Sequence, residues 1–544
     1  MTTLLAALLL TATAAADPPA ADSSAADSSA ADSPIADSPA ADSPIAIGQR
    51  RELLVDEYLV DKLSGEARLH LHQPERREIV LRTDKAWEGN ASGYPSVFQD
   101  GELYRMYYHG GHYRHGGKPA EAMASHPWVL CYAESSDGIH WRRPELGLFK
   151  FAGSKTNNII LTPESVAAIN GDPAHTAVFK DANPDCPADA RYKCVIVGKP
   201  HGLYLLKSAD GVRFSLASDK PAITQGAFDS ENLAFWDPVR SEYRAYWRIF
   251  SEGVADGTAW KPAGVRAIRT ATSKDFQAFA GQADLRYVDS PAEHLYTNQI
   301  LPYHRAPHIY IGFPMRYTDR GWSEAMMALP GLEERLARAK ASPRYGTAIT
   351  DGLLMTSRDG VLFHRWNEAF LRPGPRRQGS WVYGDNLIFW GIVETASALG
   401  DAPNELSLYA SEDYWQGTAV SFRRLALRID GFVSLRASAR GGELLTRPLV
   451  FDGGNLAINA STSGAGSIQV EIQDAAGQPL PGYALADCPR IFGDDLELVV
   501  RWKQGGDVRP LSGKTVRLRF VLSDADLYAF QFVPYQPDPV RPQP

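Results

Sequence analysis

Carboxylates, histidines and aromatic side chains gather in five short stretches of this chain, each just ahead of an apolar run. The stretches are Trp87-Glu88 with Tyr94, Asp172 with His175, and Phe228-Asp229-Ser230-Glu231-Asn232; then Glu293-His294-Leu295-Tyr296-Thr297-Asn298, and Asp385-Asn386. Two carboxyl groups in unlike surroundings can do acid–base work. One stays protonated and donates to a leaving oxygen, while the other is ionised and serves as base or nucleophile. Asp229 or Glu231 fits the base or nucleophile, and Glu293 fits the acid. Glu88, Tyr94, His175, Tyr296, Asn298, Arg316 and Asp385 would then hold a substrate.

Each of these residues also has a plainer use. Asp181 and Asp237 sit where hairpin turns are expected, and Asp is ordinary turn chemistry there. Asp229 could cap the start of a strand. Glu293 could pair with Arg316 or Arg305, and His175 could be a satisfied buried histidine.

To converge, residues so far apart in sequence need a repeating scaffold. The pattern of an apolar strand, Ser-x-Asp, then an aromatic-bearing strand occurs five times, at Ser135/Asp137, Ser208/Asp210, Ser273/Asp275, Ser357/Asp359 and Ser411/Asp413. Asp bonds the backbone two residues on, and a following Gly supplies positive φ, so each copy reads as a tight hairpin joining the outer strands of a sheet. A second hairpin candidate lies ahead of each copy, rich in β-branched and aromatic residues. Four strands in each of five units predict a five-bladed β-propeller over residues 49–427, with the five candidate stretches at one channel mouth. Leu53 to Val60 is expected to supply a ring-closing strand. One helix, around Leu332 to Ala341, is an insertion in the fourth blade.

After Leu427 short strands separated by turns predict a β-sandwich over residues 428–535, beginning near Asp430. The N-terminal apolar run and Ala14-Ala15-Ala16 read as a signal peptide over residues 1–16, hence an exported protein, periplasmic or extracellular. Residues 17–48 repeat Asp among Ala, Ser and Pro, a composition for a disordered tether. Residues 536–544 are a Pro-rich tail. The chain has 544 residues and a net charge of -8, with no Lys/Arg block, so a nucleic-acid partner is not expected. No segment is long enough to span a membrane. Cys131, Cys186, Cys194 and Cys488 match no metal-ligand spacing. Cys186 and Cys194 could pair or stay free. No cofactor is expected; a structural cation in the propeller channel and the oligomeric state stay open.

The chain resembles the five-bladed propeller glycoside hydrolases (families 32 and 43 and their kin) in three strings: SVFQDGELYRMYYHG, ENLAFWDPVRSEYRAYWR and SRDGVLFHRW. The likeness runs from about Leu53 to Leu427, and the last domain resembles the family 32 C-terminal sandwich. It implies a carbohydrate substrate and a channel-mouth site with an Asp base or nucleophile, a Glu acid and a third carboxylate. The Asn-Asp-Pro-Asn-Gly, Arg-Asp-Pro and Glu-Cys strings of invertase-like enzymes are absent. Tyr94-Pro95 stands where relatives carry Asp-Pro, and Glu231 where an Asp is usual. The alternatives to a glycosidase are a non-catalytic carbohydrate-binding propeller, and a phosphorylase or lyase on the same scaffold.

Overall fold

The computed structural model describes residues 43–114 and 124–537. The expected signal peptide, most of the expected tether and the tail beyond residue 537 lie outside the described residues.

Five sheets form the blades of a propeller. The first holds Gly93–Asp100, Leu103–Gly110, Val129–Ser135 and Ile159–Leu161, and the second Asp172–Lys180, Tyr192–Gly198, Gly202–Ser208 and Ser215–Leu216. Leu233–Asp237, Glu242–Ala255, Trp260–Ser273 and Ala280–Asp284 make the third. The fourth runs Leu301–Tyr303, Ala306–Gly312, Met355–Ser357 and Leu362–Arg365, with Arg286–Val288 added outside in parallel. The fifth holds Val393–Thr395, Glu405–Glu412 and Ser421–Leu427.

The ring closes differently from the expectation. Glu75–Arg82 pairs antiparallel with Ser421–Leu427 and becomes the fourth strand of the fifth blade. That pairing covers an edge otherwise open to another chain. The Leu53 to Val60 stretch instead serves the C-terminal domain: Glu52–Leu53 pairs with Thr515–Val533, and Val60–Gly65 with Gly442–Thr446. Its apolar residues divide between two cores. Leu53 and Val55 lie with propeller residues such as Ile311 and Leu354, and Leu54 and Leu59 with sandwich residues.

Four Ser-x-Asp copies behave as expected. In each, the Ser hydroxyl lies 2.8–3.0 Å from the Asp carboxylate. The same carboxylate oxygen accepts from the backbone N–H groups two and three residues on, at 2.8–3.2 Å. All four join the third strand of a blade to the fourth. The copy at Ser411 does not: it ends the second strand of the fifth blade, and so lies at the opposite end of the sheet. Its Ser411 hydroxyl donates to the Gly384 carbonyl and Asp413 accepts from Ser421. Because the fifth blade takes its outer strand from the N-terminal side, it has no third-to-fourth hairpin for the motif to occupy.

Trp390 ties the inner strands of several blades together. Its amide donates to Pro95 O (2.9 Å) and its carbonyl accepts from Val97 N (2.8 Å), both in the first blade. Its indole N–H donates to Ile300 O at 2.9 Å in the fourth blade, and its ring meets Phe179 of the second blade edge-on at 6.5 Å. The next residue, Gly391, has φ 143 and passes so close that a Cβ would lie 1.9 Å from Val97 O. Gly391→Ala should therefore force blades one and five apart and destabilise the fold by about 2–4 kcal/mol. Urea unfolding with an unchanged midpoint would refute that close approach.

The second domain is a β-sandwich around one core, which includes Leu444, Phe451, Ile458, Val470, Trp502, Phe520 and Phe530. Two long strands, Asn455–Asp474 and Thr515–Val533, run together through it. The TVRLRFVL and DLYAFQFV runs are one continuous strand, with Asp524 at φ 45 where the register shifts. Ile45–Gly48, read from sequence as the end of the tether, pairs in parallel with Leu449–Phe451 and buries Ile45 and Ile47 in the same core. All four cysteines are free.

Candidate functional site

The inner strands begin at one mouth of the channel, and their backbones are strained there. Tyr94 (φ 46), Phe228 (φ 58), Gln299 (φ 45) and Asn386 (φ 63) are left-handed, one at the inner strand of each of blades one, three, four and five. Left-handed aromatic residues persist only where the surroundings hold them, and such strain concentrates at functional sites. Between these starts lies a small cavity open to solvent, bordered by Tyr94, His109, Tyr296, Tyr383, Ser411 and Tyr414.

Two ion pairs flank this cavity. On the second blade, Asp172 Oδ2 lies 2.7 Å from His175 Nδ1, and the two side chains are 37% and 27% exposed. The His175 ring stands 5.7 Å from Tyr94, which meets His109 at 5.3 Å. On the third blade, Asp229 accepts from Arg248 at 3.2 Å and is 36% exposed. Arg248 is buried; it also donates to the Tyr296 carbonyl and lies 4.5 Å over the Tyr296 ring. Ser230 donates to that carbonyl at 2.7 Å, and the Tyr383 hydroxyl donates to the Tyr296 hydroxyl at 2.5 Å.

The electrostatics separate the titratable groups. Burial opposes protonation of His175, but the carboxylates of Asp172 and Asp229 outweigh it and raise the imidazole above its ordinary 6.5. Burial works to raise the Asp172 carboxyl, yet His175 and the Ala174 N–H hold it low. Burial pushes His109 down to about 4, so it is a neutral imidazole fixed by Ala91 O. Deeper in, Glu231 and Asp385 are raised well above the usual carboxyl range, in each case chiefly by burial. Glu231 accepts from the Gln299 amide, and Asp385 accepts from the Tyr414 N–H at 2.9 Å.

The structure thus brings Asp229, His175, Tyr94 and Tyr296 together, with Glu231, Asn298 and Asp385 buried close by in the inner strands. Three candidates lie elsewhere. Glu88 is fully buried, holding Tyr108 (2.6 Å) and Arg143 (2.7 and 3.0 Å). Glu293 is engaged by Arg316 at 3.3 Å and Arg365 at 3.0 Å, the ion pairing named as its plainer use. Arg316 is further occupied by Asp351 at 2.7 and 3.0 Å. Asp181 and Asp237 make the turn bonds expected of them, to Asn183 N and Val239 N at 2.9 Å.

Sequence reasoning missed Arg248, Tyr383 and Tyr414. A signal for Arg248 existed: it is a lone charge within the otherwise apolar AYWRIF run of a buried strand. Tyr414 was hidden by the turn-like Ser411-Glu412-Asp413. An insertion in the fourth blade, with helices Glu324–Met327, Leu332–Ala339 and Arg344–Thr347, backs the tyrosine wall. Buried Arg335 and Arg338 anchor it by donating to the carbonyls of Ser380, Trp381, Tyr345 and Trp415. That seats Tyr345 against Tyr383 at 5.6 Å and against Trp415 at 5.0 Å.

Among the described residues no group of three or more His, Cys, Asp or Glu gathers as a metal site, and no helix is long and apolar enough to cross a membrane. No protein-family model matches the chain. No curated protein matches it either. Among solved structures, it is similar to an N-acetylgalactosamine deacetylase from F. plautii, with 12% identity over 66% of this chain and 95% of the other and a TM-score of 0.39. It is also similar to an endo-arabinase from Bacteroides thetaiotaomicron, with 9% identity over 65% and 98% and a TM-score of 0.38. The catalytic domain of an α-L-arabinofuranosidase of Coprinopsis cinerea gives 9% identity over 66% and 99%, with a TM-score of 0.38. At these identities the chemistry of the mouth rests on this chain's own residues.

Proposed function

We propose that the channel mouth cleaves a glycosidic bond. The observation that carries the reading is the placing of Asp229, on Arg248, beside a His175 that Asp172 and Asp229 together favour as imidazolium. In this reading Asp229 is the base or nucleophile and His175 donates the proton to the leaving oxygen, with Asp172 as its positioning residue. Tyr94, Tyr296, Tyr383 and Tyr414 offer ring faces and hydroxyls, an amphipathic lining suited to a sugar. The resemblance of three strings to those of propeller glycoside hydrolases supports the same class. The reading includes export, which rests on the apolar N-terminal run.

The test is reducing-sugar release by the purified protein from a panel of soluble polysaccharides and oligosaccharides across pH 4 to 9. A working acid with a raised pKa predicts activity that persists above pH 6.5 and falls as pH climbs through the His175 value. Asp172→Asn removes the largest influence favouring the imidazolium, so the alkaline limb should move to lower pH. An alkaline limb unmoved in Asp172→Asn would remove His175 from the acid role. No release from any glycan would end the glycosidase reading.

A further inference from the structure

The second and third strands of blade three are far longer than their neighbours need. Glu242–Ala255 and Trp260–Ser273 have 14 residues each, whereas the inner strand Leu233–Asp237 has five. The inner strand's first residue, Leu233, pairs with Tyr246, and the fourth strand reaches only to Arg269. Beyond those points the hairpin continues as a two-stranded ribbon to Ala255↔Trp260. Because the inner strand begins at the mouth, the ribbon projects from the mouth side. A two-stranded ribbon is marginal in water on its own, and this one carries exposed apolar side chains, Val254 (42%) and Trp260 (39%).

The rings on the ribbon continue the cavity wall. Tyr296 borders the cavity, and the Arg266 guanidinium lies 5.8 Å from its ring centre. The same guanidinium lies 5.5 Å from Phe250 and 4.9 Å from Tyr317. Phe250 meets Trp260 edge-on at 6.1 Å. Tyr296, Arg266, Phe250 and Trp260 thus form an unbroken file from the cavity to the ribbon's end, in steps comparable with one sugar ring. Arg266 is also seated by His294 through its backbone N–H at 3.1 Å, which ties the ribbon's base to blade four.

Resting on the glycosidase reading, we infer that the substrate is an oligomer or polymer whose chain leaves the cavity past Tyr296 and lies along this ribbon, with Trp260 as an outlying platform for a sugar ring. The aliphatic C–H face of a sugar suits an indole face, and an exposed tryptophan outside the bond-cleaving cavity acts on long substrates alone.

The experiment compares the full chain with Trp260→Ala and Trp260→Phe, by affinity electrophoresis through gels containing soluble arabinan, xylan, fructan or pectin. Turnover is measured in parallel on the polymer hydrolysed and on the shortest oligosaccharide cleaved. Trp260→Ala should lose retardation and lower kcat/KM on the polymer about tenfold, as expected for one aromatic contact. The shortest substrate should be cleaved at the wild-type rate, which also reports that the fold is intact, and Trp260→Phe should restore part of the polymer activity. Equal behaviour of Trp260→Ala and wild type on long and short substrates overturns the inference and leaves the glycosidase reading standing, with the ribbon then free to serve a protein partner. Absence of turnover and retardation in the wild type overturns both.

Discussion

Asp229→Asn is expected to lower turnover on any true substrate by about 10²–10⁴-fold, the range for removing a group that handles the proton or attacks in the transition state. The amide has the volume of the carboxylate and can still accept a hydrogen bond from Arg248, whose other donor remains on the Tyr296 carbonyl. The mouth should therefore keep its shape and lose a charge. Arg248 is buried, so losing its carboxylate should also lower the unfolding midpoint, and turnover is compared on the folded protein. Glu293→Gln supplies the contrast. Glu293 is held between Arg316 and Arg365, and Arg365 is buried, so the amide leaves a guanidinium without its carboxylate. That variant should lose stability and keep turnover. Were Asp229→Asn to retain wild-type turnover while Glu293→Gln lost it, the catalytic carboxylate would belong on the flank of blade four.

Glu293, held by Arg316 and Arg365 from distant parts of the chain, marks the limit of what the sequence carried. Blade number was legible because each blade repeats the same local chemistry: apolar strands buried on both sides, and an Asp that bonds the next backbone amides. The four regular Ser-x-Asp turns share the same Asp-to-backbone bonds because those bonds are local. The fifth motif has the same residue types in the same order, yet its Ser411 and Asp413 find partners at Gly384 and Ser421, and no local pattern distinguishes the two outcomes. Ring closure was misread for a related reason. Leu53 to Val60 and Glu75 to Arg82 both read as strands, and only tertiary pairing decides which one meets the fifth blade.

The candidate site was half legible. Asp229, His175, Tyr94 and Tyr296 followed from asking which residues begin inner strands. The rest depended on which partner each carboxylate finds. Glu88, Glu231, Glu293 and Asp385 look alike in sequence as acids beside apolar runs. Glu88 and Glu293 meet guanidinium groups, and Glu231 and Asp385 meet neutral amides, so that burial is the chief influence on the latter pair. Glu231 lies against Gln299 with one oxygen of each side chain otherwise unpartnered. A protonated Glu231 facing that amide would satisfy both oxygens, consistent with the direction in which burial pushes it.

Asp430→Ala should destabilise the protein by about 3–5 kcal/mol, the cost of deleting one partner from a buried ion pair. Asp430 is fully buried at the junction of the two domains, and its carboxylate collects four donors. Oδ1 accepts from Tyr303 at 2.7 Å and Arg305 at 3.0 Å, both in blade four. Oδ2 accepts from Arg51 at 3.2 Å, on the N-terminal segment, and from Asn459 at 3.1 Å, in the sandwich. One side chain thus ties three parts of the chain together, and its removal leaves a buried phenol and two guanidinium groups without their acceptor. Asp430 sits at φ 62, where Asp is better tolerated than Ala, so part of the Ala loss is backbone strain that Asn avoids. Asp430→Asn retains one acceptor oxygen and should fall between wild type and Ala. Tyr303 lies at the turn of the inner hairpin, away from the mouth where that blade's Tyr296 borders the cavity, so variants that remain folded should keep the wild-type KM. Chemical unfolding of the full chain reads the first effect and initial rates the second. An Asp430→Ala midpoint equal to the wild type would mean the domains are held by their apolar contacts at Leu53, Val55 and Phe432, with the carboxylate contributing nothing measurable.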